Sequence, residues 1–350
     1  MAERFAKNKM LIMVLASIFL LSLLVLLSNL IPNQSRALWG NKQDISQQQD
    51  PEQLNHLPEE DIPEEENLVT VNTAPLSKDN WKPKTWGRLE PDMTDIIERN
   101  TRRYKKDKVL LTAVSNGGMS DYTLNWIASL KRCKLDDKFI VFAIDQGMVD
   151  TMTEAGYRNH VVLIPETWFH KQLSGDFQAW LSDGYTPITH AKSLVVERLL
   201  YADITVWFSD VDIVFRSPHL YDYLMLKLNA RKTEVLFSQE TEQDFINSGF
   251  YVMRPTLTNK RILASSIYIQ DHEPQVTQQR AMIRILQDEN RDYHTSPIAL
   301  LDLMLFPHGR LYFDQGVPTK YDLEPMIVHA NYRKGDRKRE DLKKFGLWYI

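Results

Sequence analysis

Two carboxylates one residue apart, Asp210 and Asp212, interrupt an apolar run that extends from Ile204 to Phe215. An Asp-x-Asp pair offers hard oxygen ligands to Mn²⁺ or Mg²⁺, and a divalent cation so held can carry a diphosphate. With 46 acidic residues in a chain of 350, such a pair is expected by chance roughly once. Its position therefore matters more than its composition. It follows directly on the predicted strand Ile204–Phe208, and in open α/β sheets ligands bind in the crevice outside the carboxyl ends of the strands.

Other residues at comparable places could complete a site. Ser115-Asn116-Gly117-Gly118 joins a predicted strand to a helix, and paired glycines let backbone approach a flat ligand or a phosphate. Asp145 ends the next strand. Lys192 lies on the helix that precedes the Asp-x-Asp strand. Asn247, Ser248 and Gly249 place an amide, a hydroxyl and a bare backbone before an apolar strand, a set suited to sugar hydroxyls. Near the end, a short strand at Met326–Val328 delivers His329, and a basic loop containing Gly335 and Lys338 follows. There an imidazole could serve as a third metal ligand and the basic loop could clamp a diphosphate.

These residues need a frame, and the apolar pattern supplies one. Strands at Val109–Val114, Phe139–Ile144, Val161–Ile164 and Ile204–Phe208 alternate with helices at Ser120–Lys131, Val149–Ala155 and Ile188–Tyr201. This βαβ series argues for a doubly wound sheet. Strands at Val235–Ser238 and Phe250–Met253, with helices at Tyr221–Leu228, Thr277–Glu289 and Pro297–Leu303, make the sheet mixed. A short helix at Met93–Arg99 is expected in residues 81–104, at the edge of the folded domain.

Upstream the composition changes. Met10–Ile31 is a nearly unbroken apolar run, long enough as a helix to cross the roughly 30 Å hydrocarbon core. Arg4, Lys7 and Lys9 precede it, so the positive-inside rule makes residues 1–9 a cytoplasmic tail and 10–31 a signal anchor of type II topology. A cleaved signal peptide is the rival reading, but its apolar core is usually shorter. Residues 32–80 are polar, with eight Asp or Glu and no Lys or Arg between Asp50 and Glu66, and read as a flexible stem. The folded domain is expected over residues 105–350. The single cysteine, Cys133, excludes an intrachain disulfide and is expected to be a buried thiol. A formal net charge of −4 gives no basic surplus, and nucleic acid is not an expected partner.

From about Leu110 onward the chain resembles the nucleotide-diphospho-sugar transferases of glycosyltransferase family 77, which includes plant cell-wall xylosyl- and arabinosyltransferases. The resemblance rests on motifs in order: Leu124-Asn125-Trp126, Lys192, Val206-Trp207-Phe208-Ser209-Asp210-Val211-Asp212, Asn247-Ser248-Gly249-Phe250-Tyr251, Leu305-Phe306-Pro307-His308-Gly309, and His329-Ala330-Asn331-Tyr332 with Gly335. It implies a GT-A fold, a UDP-sugar or related donor, a glycan or glycoprotein acceptor and retention of anomeric configuration; the type II topology taken with this chemistry leads to an expected residence in the Golgi with the catalytic domain lumenal. The resemblance also implies that Asp210, Asp212 and His329 hold Mn²⁺ (or Mg²⁺), that Lys338 neutralises the leaving diphosphate, and that Asn247 and Ser248 contact the sugar. Glu240 is the nearest candidate to stabilise the oxocarbenium-like centre. Asn116, Asp145, Lys192, Gly249, Gln278 and Gly335 complete the expected donor site. Two departures stand out. Thr277-Gln278 replaces an Asp-Gln pair, and Ala202 replaces a glycine before the Asp-x-Asp strand.

Two other readings compete. Asp210-Val211-Asp212-Ile213-Val214 also fits the motif of haloacid-dehalogenase-type phosphatases, whose first aspartate is the nucleophile, but that motif follows the first core strand and here much α/β sequence precedes it. A tethered, non-catalytic sugar-nucleotide-binding or scaffold protein would explain the missing carboxylate at Thr277.

Overall fold

The nine residues Asp107–Ser115 form the strand about which the fold is organised, and their side chains divide by parity. Val109, Leu111 and Ala113 enter one apolar cluster, while Leu110 and Val114 enter the other. A strand buried on both faces has no polar alternation, which is why this segment reads as an unbroken apolar run. The computed structural model describes residues 81–86, 88–170, 185–230, 232–241, 245–289 and 297–350. The expected tail, anchor and stem (1–80) lie outside the described residues. Among those described, no helix is long and apolar enough to cross a membrane.

In chain order the elements are α1 (Pro91–Asn100), β1 (Arg102–Tyr104), β2 (Asp107–Ser115), α2 (Ser120–Arg132), β3 (Ile140–Ala143), α3 (Gln146–Glu154), β4 (Val161–Leu163), α4 (Tyr185–Tyr201), β5 (Thr205–Ser209), β6 (Ile213–Phe215) and α5 (Leu220–Ala230). There follow β7 (Val235–Gln239), β8 (Ile246–Met253), α6 (Leu257–His272), α7 (Gln278–Asp288), β9 (Ile298–Leu300), the short α8 (Val317–Lys320), β10 (Ile327–His329) and α9 (Asp336–Lys344). The main sheet runs β4-β3-β2-β5-β8-β7-β9, with β1 added antiparallel to the start of β2. The first four strands are mutually parallel; β8 lies antiparallel to both β5 and β7, and β9 is parallel to β7. Helices α2, α3 and α5 pack on one face; α1, α4, α6 and α7 pack on the other. The protein is thus an α/β mixed sheet covered on both sides.

A two-stranded ribbon matters most for function. β6 leaves the main sheet and pairs antiparallel with β10, in the register Ile213↔His329, Val214↔Val328 and Phe215↔Ile327. A contact more than a hundred residues long in sequence thereby seats His329 beside the Asp-x-Asp turn.

Several expectations need correction. Pro297–Leu303 is not a helix: Ile298–Leu300 is strand β9, paired with β7. The basic loop after His329 is only briefly a loop, since Asp336–Lys344 is helical, opened by Gly335 at φ 52° and ψ −137°, a conformation closed to side-chain-bearing residues. Asn247–Gly249 does not precede a strand but lies within β8, beyond a register shift at Phe237/Ser238. At the start of α2 the Ser120 hydroxyl donates to the Gly117 carbonyl. Helix α6, sixteen residues long, was not expected at all.

Candidate active site

At the end of β5 the chain turns within three residues. The Asp210 N–H donates to the Gly249 carbonyl on neighbouring β8 at 2.7 Å, the Ile213 N–H donates back to the Asp210 carbonyl at 3.3 Å, and the Ala330 N–H donates to the Asp212 carbonyl at 3.1 Å. The two aspartates are therefore fixed by backbone hydrogen bonds from three segments. Ligand atoms of Asp210, Asp212 and His329 all lie within 4.8 Å of one another, and His329 Nε2 is 3.3 Å from Asp212 Oδ1.

Two lysines complete the cluster. Lys192, on α4, donates to Asp210 Oδ1 at 2.5 Å, and Lys338, on α9, donates to Asp212 Oδ2 at 2.6 Å. Burial alone would raise the Asp212 carboxyl. Lys338 and His329 overcome that and hold it well below the ordinary carboxylate range, so it stays ionised.

A divalent cation fits these residues. The donor set of two carboxylates and one imidazole suits Mn²⁺ or Mg²⁺ with positions left for a diphosphate. Gly249 keeps the hollow between them open: a Cβ there would lie 2.5 Å from His329 Cε1, 2.8 Å from Asp210 Oδ2 and 2.9 Å from Asn247 Oδ1. The nearby Pro307-His308-Gly309 loop is pinned to the segment after β10. The His329 N–H donates to the Pro307 carbonyl, and the Gly309 N–H donates to Asn331 Oδ1 at 2.7 Å. Gly309 lies so close to the Asn331 carbonyl that no Cβ could be accommodated. His308 accepts from the Leu311 N–H through Nδ1, which puts its proton on Nε2, and burial lowers its pKa to about 4, with His329 and Arg310 adding to the effect.

Glu240 is held from three sides. Its Oε2 accepts from Asn247 Nδ2 and from Gln279 Nε2, both at 2.9 Å, while Oε1 accepts from the Tyr332 hydroxyl. Gln279 Oε1 also accepts from the Ser248 N–H at 3.0 Å, and Asn247 Oδ1 accepts from the Gly249 N–H at 2.9 Å. Two short links thus join Glu240 to the Asp-x-Asp turn.

The expected residues divide accordingly. The structure brings Asp210, Asp212, His329, Lys192, Lys338 and Gly249 together, with Asn247, Ser248 and Glu240 alongside. Gly335 acts from a distance by turning the chain into α9. Asn116 is buried at the carboxyl end of β2. Asp145 also sits at a strand end, but its carboxylate accepts from the N–H groups of Gly117 and Met148 and so caps α3. The Gln278 side chain is buried, and Gln279, one residue on, reaches Glu240 and Ser248. Sequence reasoning missed Gln279 and Tyr332. Gln279 was detectable only from the register of α7, because Thr277 rather than Gln278 is its N-cap.

The nucleotide-diphospho-sugar transferase family model matches residues 134–342, well over half of the chain. UDP-galactose:fucoside alpha-3-galactosyltransferase of Dictyostelium discoideum is 25% identical over 286 residues, covering 70% of this chain but 43% of that protein, so the chain spans under half of this relative. UDP-D-xylose:L-fucose alpha-1,3-D-xylosyltransferase 1 of Arabidopsis thaliana is 26% identical over 305 residues, covering 81% of this chain and 79% of the relative. Among solved structures, the galactosyltransferase LgtC with donor and acceptor sugar analogues aligns at a TM-score of 0.44 and 11% identity, over 68% of this chain and 95% of that one. Mouse xyloside xylosyltransferase 1 aligns at 0.39 and 10%, over 64% and 97%. With the family model running through the Asp-x-Asp turn, His329 and Lys338, the chain belongs to the nucleotide-diphospho-sugar transferase family: it is a glycosyltransferase that takes sugar from a nucleotide-sugar donor.

Proposed function

We propose that the protein transfers a sugar from a UDP-sugar to an L-fucose residue of a glycan or glycoprotein, with Mn²⁺ (or Mg²⁺) at Asp210, Asp212 and His329 and with retention of anomeric configuration. The observation that carries the metal site is the convergence of these three side chains, from β5's end and β10, around the hollow left by Gly249. The acceptor rests on the relatives. The Dictyostelium protein and the Arabidopsis protein differ in donor, galactose against xylose, yet both are named for α-3 transfer to fucose.

Transfer breaks the bond between the anomeric carbon and the diphosphate and forms one to the acceptor oxygen, whose proton is released. Negative charge builds on the diphosphate and positive charge on the sugar ring. A bound divalent cation would supply Lewis acidity to the diphosphate oxygens. Lys338 and Lys192 add positive charge at the same edge of the site, where it can stabilise an entering polyanion. Glu240, oriented by Asn247, Gln279 and Tyr332, presents negative charge to the sugar, and the Asn247 and Ser248 side chains offer hydrogen bonds to its hydroxyls. The same proposal includes the type II topology, with residues 10–31 as anchor, 32–80 as stem and a lumenal Golgi domain.

The test is a panel of UDP-sugars with Mn²⁺ and a fucoside acceptor, scoring UDP release and the glycoside formed. An α-1,3-linked product from a UDP-sugar supports the reading. Transfer only to non-fucosylated acceptors would overturn the acceptor assignment, and full activity in EDTA would overturn the metal. Phosphate release from simple phosphomonoesters would favour a phosphatase, and UDP binding without turnover would favour a scaffold.

A further inference from the structure

Helix α4 carries polar side chains on two faces. Lys192 points to Asp210, whereas His190, two residues earlier and so about 200° round the helix, points away from that cleft toward α6. There it meets Asp271, near the end of α6, and His170, which follows the buried Trp168 after β4. His170 Nδ1 lies 2.8 Å from Asp271 Oδ1, and His190 Nε2 lies 3.2 Å from the same oxygen. All three ligand atoms fall within 4.8 Å of one another.

We propose that His170, His190 and Asp271 form a second metal site, separate from the Asp-x-Asp site, which takes Zn²⁺. Three observations carry it. First, the His190 side chain is 4% exposed, and its Nε2 has no hydrogen-bond partner among the described residues: Asp271 Oδ1 is near enough but off the line of a hydrogen bond. A buried nitrogen lone pair or N–H left in this way is costly unless something else binds it. Secondly, the separations suit one ion. Ligands at about 2.0–2.1 Å from tetrahedral zinc stand roughly 3.3 Å apart, and the two measured edges, 2.8 and 3.2 Å, fall short of that by little enough that rotamer adjustments close the site.

Thirdly, the surroundings hold the ligands in place. Ser193 Oγ donates to Gln270 Oε1 at 2.7 Å, and Gln270 Nε2 donates to Thr189 Oγ1 at 3.5 Å. These bonds lock α4 to α6 one residue away from His190 and Asp271, the kind of supporting layer that metal sites require. His170 remains partly exposed, giving an ion its way in and leaving room for water as a fourth ligand. Two imidazoles and one carboxylate favour zinc over manganese or magnesium, which prefer oxygen. The site would tie together the segment after β4, α4 and α6. It does not depend on the proposed transfer reaction.

The experiment uses the full chain, stripped with EDTA and titrated with Co²⁺ as a spectroscopic probe for zinc. The Asp210→Asn/Asp212→Asn double variant removes the other site. One Co²⁺ per chain should still bind this variant, with the visible absorption of a four-coordinate nitrogen–oxygen site. Adding His190→Ala or His170→Ala should weaken that binding by about a hundredfold or more. His170 is partly exposed, so its variant reports on the metal even if His190→Ala fails to fold. Zn²⁺ should displace the Co²⁺ and bleach the band. Absence of Co²⁺ binding in the double variant, or binding indifferent to both histidine substitutions, would overturn the proposal and leave a hydrogen-bonded cluster only.

Discussion

Two clusters in this molecule gather carboxylate and imidazole from distant parts of the chain, and their surroundings differ. Around Asp210, Asp212 and His329 each carboxylate carries a lysine, at 2.5 and 2.6 Å. Around His170, His190 and Asp271 the groups facing the carboxylate at 2.8 and 3.2 Å are the two imidazoles themselves. The first cluster lies at the carboxyl edge of the sheet and is rich in oxygen and in lysine ammonium groups. That suits a ligand that brings its own negative charge and then leaves. The second is rich in nitrogen and lies between two helices, which suits an ion that stays.

The sharpest separation of the two should come from Asp210→Asn. Asp210 is the more exposed of the paired aspartates, so its loss spares the buried charges around Asp212 and tests chemistry rather than folding. We expect kcat to fall by about a thousandfold with the melting temperature nearly unchanged, as checked by UDP release and calorimetry. Activity within tenfold of the parent protein would dissolve the distinction between the clusters.

His308 supplies the next test, on stability. Folding lowers its pKa from 6.5 to about 4, chiefly by burial, so the neutral form is the native one. The unfolded chain gains a proton as pH falls through 6.5, before the native chain can. His308 therefore contributes fully above pH 6.5, and its contribution drains away as pH falls toward 4, by up to about 3 kcal/mol. Denaturant unfolding across this range should show that loss. His308→Gln should flatten the profile, and an unchanged slope would remove His308 from the account.

Gly249→Ala probes the hollow itself. The added methyl must displace His329 Cε1, Asp210 Oδ2 or Asn247 Oδ1, and shifts of a few tenths of an ångström at reacting groups lower rates steeply. A fall of about thirtyfold in kcat, with weaker Mn²⁺ dependence and no change in Co²⁺ binding at the second cluster, is the expected outcome.

Much of the first cluster was legible because its residues lie at strand ends, and strand ends can be located from apolar runs. Asp210 and Asp212 follow β5, His329 closes β10, and Lys192 sits on a helix with clear boundaries. The second cluster could not be read in this way: His170, His190 and Asp271 are single residues on three elements, and only the packing of α4 on α6 brings them together. Helix α6 escaped notice for a related reason. Asn259, Arg261, Ser265, Ser266 and Gln270 are buried along with its apolar residues, so polarity does not mark its outer face and no helical stripe appears. Ile298–Leu300 has no such stripe either, and its pairing with β7 decided it as a strand. Cys133, by contrast, lies where the apolar period placed it, 2% exposed, and burial raises its thiol to about 11.

The smallest predicted effect separates a filled from an unfilled second cluster. In the absence of metal, burial tends to raise the Asp271 carboxyl, but the two imidazoles beside it, His190 and the hydrogen-bonded His170, bring it down to about 2. A carboxyl depressed below its unfolded value of 3.8 stabilises the protein above that pH and ceases to do so as pH falls through 2. Because Asp271 is partly open to solvent, screening leaves only about 1 kcal/mol. Asp271→Asn should therefore lower stability slightly at pH 5 and converge with the parent protein near pH 2. Bound zinc changes this profile, because protons then compete with the metal for both imidazoles and the loss moves up to around pH 6. Acid unfolding of the parent chain with and without Zn²⁺ in the Asp210→Asn/Asp212→Asn background should show that displacement. Coincident curves would mean that the nitrogen-rich cluster, unlike its oxygen-rich counterpart, responds to protons alone.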